Sequence, residues 1–356
     1  MDIQEATHSF DSWLATQLTI KADDLEVKHK EMRKDEFEFF RATFYRWTGI
    51  FPKLCPELAA APEGLIVGDL HVENFGTWRD AEGRLAWGVN DFDEAYPLPY
   101  TNDLVRLATS AFLAIKSSHL SVSVEEAASS ILAGYTEALD HGGRPFVLAE
   151  SHQVLRDLAF PRLKEPHKYW KKMAQLGELA DPVPAKVTKL LQSILPDPAL
   201  PVRIVWRPAG LGSRGRQRIT AIAQYRGGYI AREAKELCSS ACTWASGSEP
   251  EKVHAAKAVK DAIRCADPYV KFEGAWIGRR LAPDCSRIEL SSVPKAVEQD
   301  RLMWSMGWET ANVHLGSIPA KKLLADLATR HKHWLTGAAE AMLKAVHKDW
   351  KDWKAK

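Results

Sequence analysis

No run of eighteen apolar residues occurs anywhere in the 356 residues, so nothing in the sequence reads as a membrane-crossing helix. The first residues, MDIQEATHSFDSW, lack the charged-then-apolar pattern of a secretory signal. An excess of one charge is also missing. Forty-eight Lys and Arg stand against 46 Asp and Glu, a formal net charge of +2, so no overall field points to nucleic acid or to an anionic membrane. Cysteine is scarce: five, without the paired spacing of a zinc site, and read as reduced thiols. Repeats and low-complexity tracts are absent too. These absences lead us to expect a soluble, cytoplasmic protein, and they leave the oligomeric state open. At 46% hydrophobic residues, the chain has enough apolar side chain for a substantial core and enough length for two lobes.

Against that background the patterned segments stand out. Residues 24–50 put Phe37, Phe40, Phe44 and Trp47 on one helical face, and Pro52 and Pro56 are expected to stop the helix. The apolar run 64–67 reads as a buried strand ending in Gly68-Asp69, and 84–90 as a second strand ending in Asp91. A Pro-rich turn follows, then a helix from about residue 102 and another over 122–140, opened by Ser123. The Pro cluster ILPDPALP before residue 201 reads as a boundary. Beyond it, 201–236 alternates like three strands with a Gly-Gly hairpin, 250–265 like a helix, and PYVKF and AWIGRRL like two more strands; 294–356 is helical again.

Two motifs carry chemistry. GDLHVENFG (68–76) and NDFD (90–93) each follow an expected strand, so two loops at adjacent strand ends can bring Asp69, Asn74 and Asp91 together. Phosphoryl transfer needs such a set: one carboxylate to orient an acceptor hydroxyl and take its proton, and a carboxylate with an amide oxygen to hold magnesium. Gly-Asp and Asn-Phe-Gly are also ordinary turn chemistry, and it is the joint occurrence that points to a site. His71 reads as a loop support and not as the base.

GDLHVENFG followed by NDFDEA resembles the catalytic and metal loops of aminoglycoside phosphotransferases and choline kinases, members of the protein-kinase-like superfamily. The resemblance implies Asp69 as catalytic aspartate, Asn74 and Asp91 as magnesium ligands with Asp93 in support, and Asp103 in DLVRLA as a buttress of the catalytic loop. Val67 stands where those relatives have His.

A kinase also needs a glycine loop and a strand lysine, and residues 1–67 are helical and glycine-poor. The candidates come later. Gly210, Gly212, Ser213 and Gly215 lie between two expected strands, so that backbone amides can approach phosphates, and Lys235 lies one hairpin beyond. Strand flanks on both sides argue against a dinucleotide fold. The helix after Lys235 offers Glu251 only at its start, which leaves the acidic partner of the lysine open. From residue 30 to 315 the chain also resembles an uncharacterised bacterial family, domain-of-unknown-function family twenty-two fifty-two, through FEFFRAT, GDLHVENFG, NDFDEA, GLGSRG, AKEL and WIGRRL in that order.

The expectation is therefore an α+β, two-lobed protein-kinase-like fold, circularly permuted. Residues 200–283 form a small antiparallel-sheet nucleotide lobe after the catalytic loop, and 1–199 and 284–356 form the helical lobe. Adenine is expected near the chain crossing at 278–283. The expected function is ATP- and Mg-dependent transfer of the γ-phosphoryl group to a small-molecule hydroxyl, with no nucleic-acid or membrane partner. The alternatives are a nucleotide-binding pseudokinase that regulates a protein partner, and nucleotidyl transfer to protein on the same fold.

Overall fold

The computed structural model describes residues 1–148, 152–153, 155–157, 166–207, 210, 212, 214–285 and 299–355. It is a mixed α+β structure with small antiparallel sheets. The chain opens with helices α1 (Ile3–Ala15), α2 (Ala22–Lys34), α3 (Glu36–Ala42), α4 (Phe44–Leu54) and α5 (Pro56–Ala59). Strands β1 (Glu63–Ile66), β2 (Phe75–Arg79), β3 (Leu85–Val89) and β4 (Tyr96–Pro99) follow, then helices α6 (Thr101–Lys116) and α7 (Val124–His141) and strand β5 (Phe146–Val147). Next come α8 (Pro166–Ala174), α9 (Ala185–Ser193), β6 (Arg203–Trp206), β7 (Arg218–Tyr225) and β8 (Gly228–Glu236). Helices α10 (Ala241–Ala245) and α11 (Ala255–Asp261) precede β9 (Lys271–Glu273) and β10 (Trp276–Leu281), and α12 (Gln299–His314), α13 (Ala320–Leu327) and α14 (Trp334–Ala355) close the chain. No helix among the described residues is long and apolar enough to cross a membrane. All five cysteines are free thiols.

The single helix expected over 24–50 is three. Asp35 takes an extended backbone (φ −138°, ψ 134°), ending α2 and capping α3 by accepting the Glu38 amide at 2.9 Å. Its cap outweighs the apolar periodicity that ran through it. Pro52 lies inside α4 and does not end it. By contrast Ser123 caps α7 as its sequence suggests, in a reciprocal box with Glu126.

Residues 201–236 form three strands, joined at β7–β8 by a two-residue turn in which Arg226 and Gly227 both have positive φ. The sheet order is β6-β7-β8-β10-β9. Each face has its own core. Val187, Leu190 and Leu191 of α9 pack on Ile219, Ala221, Ala234 and Trp276. Met173 of α8, with Tyr169 and Trp170, packs on Val205, Ile222, Ala231 and Leu281. The sheet is thus covered by helices upstream of residue 200, where the Pro cluster had suggested a boundary. A chain break in composition marks a turn, whereas packing decides which body a helix joins. Residues of α10 and α11 join the large helical core, which also unites α6 and α7 with α12 and α14.

Candidate functional site

The sequence put the two loops at adjacent strand ends, but the strands that precede Asp69 and Asp91 lie in separate sheets. The strand before Asp69, β1, pairs with β4, which the Pro-rich sequence had suggested was a turn. The loop carrying Asn74 and the loop carrying Asp91 instead lie at one end of the β2–β3 hairpin, where the Asn90 amide donates to the Asn74 carbonyl at 2.9 Å. Prolines 97 and 99 are tolerated because this two-stranded ladder is all edge.

The Asp69 loop is held by one face of α6. The buried Asp103 carboxylate accepts the amides of Val67 (2.8 Å) and Gly68 (2.9 Å) and faces His314 Nε2 at 3.1 Å. Asn102 Nδ2 donates to the Gly68 carbonyl at 3.2 Å, and Ser110 Oγ accepts the Val72 amide at 3.0 Å. Gly68 has φ +82°, and a Cβ there would run into the Glu94 carbonyl, so only glycine fits. Arg106, one turn beyond Asp103, donates from Nε to Asp69 Oδ1 at 2.8 Å and also from its terminal nitrogen. The guanidinium is buried, lies 4.1 Å from the Phe40 ring centroid and donates to the Phe40 carbonyl at 3.0 Å. Burial pushes the Asp69 carboxyl up to about 7 even though Arg106 pulls it down. The carboxylate still reaches the cleft, at 19% exposure. His71 is buried, and its Nδ1 accepts the Glu73 amide at 3.2 Å, the geometry of a loop support.

Asn74 is buried, and among the described residues its Oδ1 has no hydrogen-bond partner. Asp91 is open to the cleft, its side chain 42% exposed. Lys235 on β8 is 2% exposed and meets Asp91 at 3.2 Å and Asp93 more closely, which supplies the acidic partner that the sequence left open. Glu251 is engaged elsewhere, accepting the Tyr96 hydroxyl at 2.6 Å. Burial opposes ionisation at Asp91, but Lys235, with Arg218 and Arg279 nearby, holds its carboxyl below the usual range. Asp93 goes the other way, up to about 6, from burial and the charge of Asp91. An oxygen acceptor without a partner beside an open carboxylate fits a hard cation such as magnesium, with other oxygens completing the shell. Among the described residues no group of three or more His, Cys, Asp or Glu could hold a metal by itself.

Between β6 and β7, Gly212 lies over Asp69: a Cβ there would be 3.0 Å from the Arg41 carbonyl and 3.8 Å from Asp69 Oδ2. Gly210 (φ +75°) and Gly215 (φ +95°) take the left-handed backbone, and Ser213 lies outside the described residues. Asp69, Asn74, Asp91, Asp93, Lys235, Gly210 and Gly212 all line one cleft of about 820 Å³. Near the chain crossing, Ile277, Leu281 and Pro283 line it, while Gly278 turns toward Leu190 of α9.

Sequence reasoning missed several residues here. Arg216, just after the glycine loop, is buried and bridges Asp93 (3.6 Å) and Glu94 (3.1 Å). Glu94 also accepts the Ala241 amide at 2.7 Å, tying the Asp91 loop to α10. Arg106 and Glu94 sit inside quoted motifs, and the signal for each was its spacing from Asp103 and Asp91.

Residues 21–168 match the model of a family described as an uncharacterized protein conserved in bacteria (DUF2252). That stretch holds Asp69, Asn74, Asp91 and Asp103, and it ends before the glycine loop and Lys235. No curated protein and no solved structure matches the chain.

Proposed function

We propose that this chain is an ATP- and magnesium-dependent phosphotransferase with a kinase-like arrangement in circularly permuted order, transferring the γ-phosphoryl group to the hydroxyl of a small molecule. The observation that carries the reading is the meeting of Lys235 with Asp91 at 3.2 Å, across 144 positions of sequence, in a cleft that also holds Asn74 and, beneath Gly212, Asp69. Magnesium, when bound, neutralises phosphate charge and orients the transferring group. Asn74 and Asp91 would hold it. Lys235, released from the aspartates, would pair with phosphate oxygens, and glycine-loop amides would close over them. Asp69 accepts the proton of the acceptor hydroxyl as that oxygen bonds to phosphorus and ADP leaves with the bridging oxygen. A carboxyl near 7 suits a base working at neutral pH.

The test is Asp69→Asn, which keeps the shape but accepts no proton. Turnover, including slow ATP hydrolysis without acceptor, should fall by roughly two to four orders of magnitude. ATP affinity by calorimetry should change little, the mark of a group acting in the chemical step. Loss of ATP binding in the variant would remove Asp69 from the role of base. Wild-type binding without consumption of ATP over a broad acceptor panel would favour a regulatory pseudokinase. Product mass separates phosphoryl from nucleotidyl transfer, because the two groups differ by a nucleoside residue.

A further inference from the structure

The connector between α1 and α2 crosses the far end of the glycine loop. It is rooted in the large helical core, where Leu18 is buried and Ile20 packs against its surface. Its other side meets the five-stranded sheet and the loop at four points. Gln17 Oε1 accepts the Ser239 amide at 3.2 Å, just beyond β8. Ile20 lies so near Gly215 that a Cβ there would be 3.1 Å from Ile20 Cγ2. The Lys21 ammonium stands 4.0 Å from the ring centroid of Trp206, the last residue of β6. Asp24, in the first turn of α2, meets Arg214 Nε at 3.6 Å. That nitrogen is buried and, among the described residues, has no hydrogen-bond partner, which leaves the Asp24 carboxylate as its charge complement. The four points bracket the loop: one lies on the strand before it, two on its far end and one past β8.

The loop so held rests on the catalytic carboxylate. A Cβ on Gly212 would be 3.8 Å from Asp69 Oδ2, which is van der Waals distance. Transfer needs more room. An acceptor hydroxyl sits about 3 Å from its base, and the phosphorus about 3 Å beyond that oxygen, with the loop outside the phosphate. Gly212 leaves space for neither, so the loop has to lift before Asp69 can act. Ordinary packing accounts for Leu18 and Ile20. It does not account for two charged contacts set on either flank of the one segment that has to move. A partly exposed pair at 3.6 Å is weak, as suits a contact that opens and closes. Arg216, two residues beyond Arg214, is buried against Asp93 and Glu94, so the loop is anchored immediately past the point where the connector grips it.

We propose that the connector is a latch. It holds the glycine loop down on Asp69 in a resting state closed to the transferring phosphoryl group, and parting of Asp24 from Arg214 lets the loop lift and admit nucleotide. The inhibitory consequence rests on the phosphotransferase reading; the hold on the loop does not. Nucleotide then binds only the open fraction, and its apparent affinity is lowered by that fraction.

Charge reversal tests it on the full chain. Asp24→Arg sets two cations against each other, Arg214→Asp sets two anions, and the double variant restores an opposite pair in exchanged positions. Two quantities are measured: amide hydrogen exchange over 214–217 without ligand, and affinity for a non-hydrolysable ATP analogue with magnesium by calorimetry. Each single variant is expected to speed exchange and to raise affinity by a similar factor, about threefold or more, because both report the open fraction. The double variant should return both toward wild type. Loss of the acidic residue from the first turn of α2 is common to Asp24→Arg and the double variant, so its cost cancels between them. Asp24→Asn repeats the test if Asp24→Arg melts early. Unchanged exchange in the single variants, or no recovery in the double variant, overturns the proposal. So does faster exchange with weaker nucleotide affinity, which would make the connector a clamp on bound nucleotide. If neither wild type nor any variant binds nucleotide while exchange follows the charge pattern, the hold on the loop stands and the phosphotransferase reading falls.

Discussion

Asp69 is held between opposing effects. Burial disfavours its charge, Arg106 favours it, and burial wins, lifting the carboxyl to about 7 from an ordinary 3.8. Between these two values the folded protein carries a proton that the unfolded chain has released. Ionising the group with rising pH therefore costs the folded state stability. Asp69→Asn has no charge to bury, so wild-type stability should decline relative to the variant from about pH 4 to pH 7. The slope is at most about 1.4 kcal/mol per pH unit, one proton's worth. Urea midpoints of both proteins, taken across that range without nucleotide or metal, give the comparison. Parallel curves would mean that Asp69 ionises normally and that Arg106 fully offsets its burial.

Helix α6 is the clamp of the site. Its buried face turns Asn102, Asp103, Arg106 and Ser110 toward the loop 67–72, each on a different backbone or side-chain atom. Asp103 does most, since it receives two amides from the loop and faces His314 of α12, whose Nδ1 lies 2.8 Å from the Tyr135 hydroxyl. Asp103→Asn keeps the volume but turns an amide nitrogen toward groups that donate. Leaving a buried donor unmet costs about 1–3 kcal/mol, to be read as a lower urea midpoint. An unchanged midpoint would show that the loop stands without the Asp103 carboxylate. Because Arg106 hangs from the same helix, the variant should lose turnover more than its remaining folded fraction explains.

At the scale of the molecule, the cleft lies where the large helical core meets the five-stranded sheet. Asp91 belongs to the first, Lys235 to the second. A ligand that grips both sides stabilises both. At a hundred times its dissociation constant, magnesium with ATP should add about 2.7 kcal/mol, seen as a rise in melting temperature of a few degrees. Asp91→Ala should lose the part of that rise that depends on magnesium while remaining folded. A magnesium-dependent rise as large as in wild type would remove Asp91 from the site.

Much of this was legible one residue at a time. Alternation over 201–236 marked the three strands of the sheet, Ser123 marked the start of α7, and Gly-Asp and Asn-Asp after apolar runs marked the loops that reach the cleft. Each is a local matter: a period, a cap or a turn depends on neighbours within a few residues. Partners were not legible, because a period says which face is apolar and never what covers it. Nothing near β1 announced that β4 would pair with it, and nothing in α8 or α9 announced that they would cover a sheet formed later in the chain. The helix over 24–50 broke where the single Asp35 cap outweighed a run of apolar spacing. The sequence by itself determined which side chains the proposed phosphoryl chemistry would draw on. Only the tertiary structure decided that Lys235 would close on Asp91 and that Glu233 would gather three arginines around it, because buried charges must find their partners wherever the packed chain brings them.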